Sequence, residues 1–354
     1  MRVVVGMSGG VDSSVAALLM KRAGHEVIGV FMKNWEEKDE DGVCTSERDW
    51  ADVRAVCAAL DIPYYSVNFA RQYRERVFEH FLAEYRRGRT PNPDVLCNRE
   101  IKFNVFLDFA ESLGAEKLVT GHFANIDRVG EEYRLLRAAD ENKDQTYFLY
   151  MLGQRALSKA LFPVGGLTKA EVRRIARDAG LPVSDKKDST GVCFIGERNF
   201  RQFLSGFLPA QPGDMVTPEG RVVGRHVGLM FYTLGQRRGL GIGGGGNGQR
   251  WFVLGKDLEH NRLVVCQGED DALFSREAVA SELTWLAERP PAGEGEPLEC
   301  QVRLRHRQPL QDCRFVLREG RARMAFREPQ RAVTPGQSAV FYMGRVCLGG
   351  GIIE

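Results

Sequence analysis

Apolar positions in the first half of the chain recur with two alternating periods. Arg2–Val5 is a short continuous apolar run, which predicts a buried strand, while Ser13–Ala23 places Val15, Leu18 and Leu19 at helical spacing. The alternation continues with strands at Val27–Met32, Tyr64–Asn68 and Lys117–Thr120 and helices at Glu47–Leu60, Tyr73–Arg87 and Phe103–Leu113. Strands separated by helices of this length need crossover connections, so the pattern predicts a parallel twisted sheet in an α/β domain. Ligands on such a sheet sit at the carboxyl ends of its strands. Gly6–Ser13, Met32, Asn68, Gly121 and His122 all fall there. Further on, Thr168 and Glu171 have capping-box spacing, which opens a helix through Ala179.

From Gly213 the texture changes. Pro and Gly clusters break the chain into short segments at Trp251–Leu254, Arg262–Cys266, Gln301–Arg305, Arg314–Leu317, Arg323–Phe326 and Ser338–Tyr342, all strand-like. The expectation is three units: residues 1–200 as the α/β domain, 201–268 as a small central linking domain, and 269–354 as an all-β barrel. A total of 354 residues is consistent with that, being more than one core normally organises. The acidic stretch Glu36–Asp49 reads as a surface loop.

Composition narrows the class. Hydrophobic residues at 43% and charged residues at 27% exclude a disordered chain or a coiled coil, and no apolar run approaches a membrane span. The chain opens directly on a strand with no signal-like segment, so a cytoplasmic protein without a membrane partner is expected; no sequence feature speaks to oligomeric state, and a monomer is the default expectation. Eight cysteines without CxxC spacing argue against a disulfide scaffold or a structural zinc site. The net charge of +2 is unevenly spread: residues 301–345 carry ten arginines against three acidic residues. Arginine's planar fork suits phosphate, so this tract is a candidate nucleic-acid surface, the alternative being solvated strand faces.

The loop Gly6-Met7-Ser8-Gly9-Gly10-Val11-Asp12-Ser13 follows a strand and opens a helix, where backbone N–H groups can close on an anion. No lysine follows the second glycine, which excludes Walker A, and the spacing is not that of a dinucleotide fingerprint. SGGxDS is instead the pattern of the ATP loop that splits ATP between its α and β phosphates. Ser8, Ser13 and the loop amides would cradle pyrophosphate, and Asp12 would help hold Mg²⁺.

Two cysteines have unusual neighbours. Cys97 follows Pro91-Asn92-Pro93-Asp94, read as an extended loop ahead of a helix. Arg99 and Lys102 there would favour thiolate, with Asp94 placed for acid–base work. Cys193 lies in Asp188-Ser-Thr-Gly-Val-Cys, beside Lys186 and Lys187. Cys44, Cys57, Cys266, Cys300, Cys313 and Cys347 read as packing residues or as part of the acidic stretch. An enzyme that adenylates a carbonyl and carries two reactive thiols can replace oxygen with sulfur.

These segments together resemble the bacterial tRNA-specific 2-thiouridylases. The matching runs are SGGVDSS at Ser8–Ser14, FMKNW at Phe31–Trp35, PNPDVLCN at Pro91–Asn98 and GHFA at Gly121–Ala124. KDQTYFLY at Lys143–Tyr150, GVCFIGE at Gly191–Glu197, LGQRRGLGIGG at Leu234–Gly244 and TPGQSAVFY at Thr334–Tyr342 complete the set, in family order. The resemblance implies a PP-loop domain of the adenine nucleotide alpha hydrolase-like type, a central domain and a tRNA-gripping barrel. It implies ATP-dependent thiolation of the wobble uridine in tRNAs for lysine, glutamate and glutamine. A persulfide would be carried on Cys193, and Cys97 would attack it or close a disulfide with Cys193. A cysteine desulfurase or sulfur relay protein would supply the sulfur. Asn92, Pro93, Asp94 and His122 would meet the target base, with Lys143, Asp144, Gln145, Arg305, His306 and Gln337 on tRNA. Gly6, Met7, Ser8, Gly9, Gly10, Val11, Asp12, Ser13, Met32 and Gly121 would bind the nucleotide. Two features depart from the family pattern: His306 replaces the usual tyrosine, and Gly243–Gly248 is richer in glycine.

Other enzymes use the same ATP loop. Amidotransferase-type synthetases and tRNA lysidine synthetases share it, but neither has work for two thiols. A non-catalytic ATP- and RNA-binding module would gain little from Asp12 and Asp94 near phosphate.

Overall fold

The computed structural model describes residues 1–35, 45–188, 200–243 and 248–354. Strands β1 (Arg2–Met7), β2 (Glu26–Lys33), β3 (Tyr64–Asn68) and β4 (Lys117–Val119) build the first sheet, and a hairpin of β5 (Ala124–Val129) and β6 (Glu132–Arg137) follows. With β7 (Ala160–Leu161), the first sheet is parallel in the order β3-β2-β1-β4-β7. In β1 every residue after Arg2 is buried, because helices cover both faces. Val4 joins the core under one helical layer, and Val3, Val5 and Met7 join the core under the other. The strand order reverses direction about β1 and β4, which places the ligand crevice between their carboxyl ends.

One helical expectation is corrected. The helix expected to begin at Phe103 begins at Pro93, so Cys97 lies inside a helical run rather than on a loop before one. Asn92 caps it by accepting the Asp94 N–H at 3.2 Å, and Pro93 occupies the first helical position. Proline there costs nothing, since its missing N–H would have had no partner in any case. The run widens through Cys97–Val105, bends at Phe103 and continues as Phe106–Ser112. Of the acidic stretch expected as a loop, Thr45–Asp49 belongs to the helix Thr45–Ala59, and residues 36–44 lie outside the described residues.

In the central segment, β8 (Gly213–Val216), β9 (Val222–His226), β10 (Trp251–Asp257) and β11 (Arg262–Gln267) form a sheet in the order β10-β11-β8-β9. The last six strands are β12 (Phe274–Trp285), β13 (Pro297–Arg303), β14 (Gln311–Arg318), β15 (Arg321–Arg331), β16 (Ser338–Met343) and β17 (Val346–Ile353). They close into an antiparallel barrel because β12 pairs with both β15 and β17. Two of these strands escaped the hydrophobic pattern. β12 mixes Arg276, Glu277 and Glu282 into its length, and β17 carries Gly349-Gly350-Gly351. The glycines suit a strand pressed from both sides: a Cβ on Gly350 would stand 2.3 Å from the Ala339 carbonyl oxygen. The β5–β6 hairpin extends the barrel's sheet by pairing β6 with β17. Tyr342, Val340, Leu286 and Cys347 therefore share one hydrophobic cluster with the first domain.

Candidate active site

The nucleotide loop is prearranged by its own hydroxyls. The Ser8 N–H donates to Ser13 Oγ at 3.2 Å, and the two hydroxyls lie 3.1 Å apart. Ser13 and Ser14 both donate back to the Gly10 carbonyl, at 3.2 and 2.8 Å. This folds the turn between β1 and the helix Val11–Arg22, whose first amides open toward the crevice. Gly121, just past β4, lies against that helix start. A Cβ there would stand 2.6 Å from the Asp12 carbonyl carbon and the Ser13 nitrogen, so any side chain would push the loop away. Met32 and Phe106 close over Gly6 from β2 and from the helical run. Gly6, Met32 and Gly121 thus meet at the loop.

Asp12 carries a charge network that sequence reasoning did not find. Lys169 Nζ lies 2.6 Å from the Asp12 carboxylate and 2.9 Å from Asp188. Asp188 also receives Lys143 at 2.8 Å and Arg173 at 2.7 Å. Burial raises the Asp12 carboxyl above its ordinary range, against the opposing pull of Lys169. Burial also works upward on Asp188, but Lys143 and Lys169 outweigh it and hold that carboxyl at about 2. Close by, Lys186 donates to the Gly9 carbonyl at 3.1 Å and pairs with Asp49 and Asp52 at 2.8 and 2.6 Å. One sequence signal was available: Lys169 is the first residue of its helix, where the dipole disfavours a cation unless carboxylates compensate.

Cys97 is fully buried on the run that begins at Pro93. Asp94 precedes it by three residues and so lies on the same helical face. Farther along, Phe106 reaches Gly6 and Phe103 meets the His122 ring at 5.9 Å, which ties the thiol-bearing run to the nucleotide crevice. His122 accepts or donates at 2.7 Å to the Thr120 hydroxyl, and its pKa falls well below the usual value through burial and then the nearby Lys102 charge. Its imidazole is therefore neutral at neutral pH. Cys193 and Cys44 lie outside the described residues, as does most of the Gly243–Gly248 run.

Several residues expected on tRNA lie where the α/β domain meets the barrel, whereas Lys143 pairs with Asp188 beside the nucleotide loop. The Thr90 N–H donates to the Pro335 carbonyl, and Gln337 Nε2 donates to the Thr90 carbonyl at 2.7 Å, which sets the barrel beside Asn92–Asp94. Gln145 zips against Phe123 through backbone and side chain, each at 2.8 Å. His306 stacks 4.4 Å from Phe148 and shares a hydrogen bond with the Asp144 carbonyl. Arg305 Nη2 donates to the Leu234 and Ala332 carbonyls and to Thr334, clipping the central segment to the barrel. Asp144 has a different place from its neighbours. Its side chain is 0% exposed, pairs with Arg303 at 2.9 Å and accepts from Thr146 and the Ala138 N–H. Of the ten arginines, Arg303 is consumed in that buried pair, whereas Arg307, Arg314, Arg318, Arg321, Arg323, Arg327 and Arg345 are exposed.

Among the described residues, no group of three or more His, Cys, Asp or Glu could hold a metal alone. Mg²⁺ does not require one, since it binds through one or two carboxylates together with substrate phosphates and water. Asp12, a third exposed at the loop mouth, is the carboxylate placed for that role, in competition with Lys169. No helix among the described residues is long and apolar enough to cross a membrane.

Three family descriptions match successive parts of the chain. They are a tRNA methyl transferase HUP domain over residues 1–197, a tRNA methyl transferase PRC-barrel domain over 201–267 and an aminomethyltransferase beta-barrel domain over 275–353. Among curated relatives, the tRNA-specific 2-thiouridylase MnmA of Alkaliphilus oremlandii (strain OhILAs) is 58% identical, covering 100% of this chain and 97% of its own. The protein of that name from Bacillus subtilis (strain 168) is 57% identical over 100% of this chain and 95% of its own. Among solved structures, a 4-thiouridine synthetase–RNA complex with bound ATP is 18% identical. It covers 58% of this chain and 49% of its own with a TM-score of 0.37, too loose an overlap to carry an argument.

Proposed function

The chain belongs to the tRNA-specific 2-thiouridylase family, and from that membership we propose that it catalyses ATP-dependent replacement of oxygen by sulfur at carbon two of the wobble uridine in tRNAs for lysine, glutamate and glutamine. The observation that carries the reading is the meeting of the SGGxDS loop, Gly121 and the Cys97 helical run at one crevice, with the barrel packed beside it.

In the first step the carbonyl oxygen at carbon two attacks the α-phosphorus of ATP, and pyrophosphate leaves. The loop amides and the hydroxyls of Ser8 and Ser13 receive the pyrophosphate charge, with Lys169 nearby. Mg²⁺ held by Asp12 would neutralise phosphate charge. In the second step persulfide sulfur from Cys193 replaces the adenylated oxygen, and AMP leaves. In one route that persulfide attacks carbon two directly, and Cys97 then attacks the Cys193 sulfur, breaking the S–S bond to leave sulfur on the base. In the other, Cys97 first attacks the Cys193 sulfur and releases the terminal sulfur as hydrosulfide, which attacks carbon two. Both routes end with thiocarbonyl sulfur on the base and a disulfide between Cys97 and Cys193: the two thiols are oxidised and the sulfane sulfur is reduced. Asp94, on the Cys97 face, would move the proton. A separate persulfide-carrying protein, either a cysteine desulfurase or a sulfur relay, reloads Cys193 once the disulfide is reduced. A base attacked at carbon two must leave its stack, which costs little in a single-stranded anticodon loop.

For RNA, the exposed arginines of β14 and β15 together with Lys143, Gln145, His306 and Gln337 supply the contact surface, and Asn92, Pro93 and His122 face the base. Asp144 acts from beneath by fixing this junction, since its carboxylate is buried against Arg303. The reading also carries a cytoplasmic, monomeric enzyme. The test is nucleoside mass spectrometry on unmodified glutamate tRNA incubated with the protein, Mg²⁺-ATP and a persulfide source. One sulfur should replace one oxygen at the wobble uridine. Cys193→Ala should abolish that product but still release pyrophosphate in the presence of tRNA. If the variant thiolates normally, Cys193 is not the carrier; if wild type yields neither thiolated nor adenylated tRNA, the thiolase reading fails.

A further inference from the structure

We propose that Asp188 is a positioning residue that couples RNA binding to nucleotide binding, by holding Lys143 of the RNA surface and Lys169 of the nucleotide loop in one ionic chain. The proposal rests on the functional reading above. Its basis is a contiguous set of short contacts: Lys143 to Asp188 at 2.8 Å, Asp188 to Lys169 at 2.9 Å, and Lys169 to Asp12 at 2.6 Å. Lys169 is only 13% exposed, so its charge is weakly screened and its two carboxylate partners compete for it. Lys143 is 40% exposed, open to a phosphate from solvent.

The direction of the coupling follows from that competition. When Lys143 engages an RNA phosphate, it gives up part of its hold on Asp188. Asp188 then draws Lys169 more strongly, and Asp12 loses its ammonium partner. The freed carboxylate can take the cation that accompanies nucleotide phosphates. RNA therefore favours Mg²⁺-nucleotide binding, and by linkage the nucleotide favours RNA to the same extent. Arg173 also pairs with Asp188, but it donates to the Ser184 and Lys186 carbonyls as well, and among the described residues no hydrogen bond or ion pair joins it to Lys143 or Asp12. It braces the carboxylate without linking the two ligands.

The experiment measures the dissociation constant of a non-hydrolysable ATP analogue with Mg²⁺ at fixed salt, with and without saturating unmodified glutamate tRNA. In wild type, RNA should tighten the analogue on the order of fivefold or more. Asp188→Asn should bring that factor to about one while the analogue still binds, Asp188→Glu should restore part of it, and Arg173→Gln should keep most of it. Should Asp188→Asn fail to fold, Lys143→Gln breaks the same chain from the RNA end and should also bring the factor to about one. An unchanged factor in Asp188→Asn or Lys143→Gln overturns the proposal, as does a factor of one in wild type or an equal loss in Arg173→Gln. The wild-type preparation is assayed in parallel for sulfur incorporation from a persulfide donor. Normal incorporation with uncoupled ligands defeats this proposal alone, whereas no incorporation removes the functional reading on which it stands.

Discussion

Gly121 and Asp144 show how differently a single residue's role can be legible. Gly121 stands at the end of a strand, a position that marks it for the ligand crevice, and the family resemblance assigns it to the nucleotide. The structure adds the physical reason, a Cβ contact of 2.6 Å with the loop backbone. Gly121→Ala should therefore shift the start of the helix Val11–Arg22, cost about 1–3 kcal/mol as an overpacked site, and weaken ATP binding. Thermal unfolding and the KM for ATP in a pyrophosphate-release assay would measure both; a variant normal in both would show that the loop yields easily. Asp144 lies in the KDQ run, which motif logic assigns to RNA as a unit. Only burial separates its side chain from Lys143 and Gln145, because adjacent residues in an irregular segment face different ways.

Helices and strands were read well where local chemistry was unambiguous. The capping box at Thr168 is present as expected, with Thr168 Oγ1 accepting from the Glu171 N–H and Glu171 accepting from the Thr168 N–H at 2.7 Å. That cap places Lys169 at the Asp12 carboxylate. Thr168→Ala should cost about 1 kcal/mol of stability and, by loosening Lys169 from Asp12, lower the KM for ATP, with Thr168→Ser restoring both. Loss of stability in urea with an unchanged KM would mean that the ion pairs, and not the cap, place the lysine. The helical run from Pro93 is not legible in the sequence, because proline signals a loop and suits a first helical turn equally well. β17 was missed for the opposite reason: its glycines lower strand propensity locally, and their benefit appears only once β12 and β16 press on them.

Across the whole molecule, the α/β domain and the barrel meet at a buried junction. Arg303 of β13 and Asp144 form its buried ion pair, with the guanidinium 5.6 Å from the Tyr342 ring. Tyr147 donates to the Leu304 and Ser338 carbonyls alongside it. Arg303→Met should leave Asp144 as an unpaired buried carboxylate and destabilise the protein by about 3–5 kcal/mol, while adding Asp144→Asn should recover much of that loss. Urea unfolding measures both, and a loss below about 1 kcal/mol in the single variant would show that the pair does not hold the junction.

The α/β and all-β regions, the ATP-type loop and the capping box are legible in the sequence alone. All of these depend on periodicity or chemistry within a few neighbouring residues. Only the tertiary structure decided which charges meet. Lys169 and Asp12 are 157 residues apart, Lys143 and Asp188 are 45 apart, and Arg303 and Asp144 are 159 apart. Apart from the place of Lys169 at the start of its helix, no local pattern distinguishes those lysines, arginines and carboxylates from others of the same kind on the surface. Pairing across such distances depends on chain crossovers and barrel closure, which bring the partners into the low-dielectric junctions where their charges act strongly on one another.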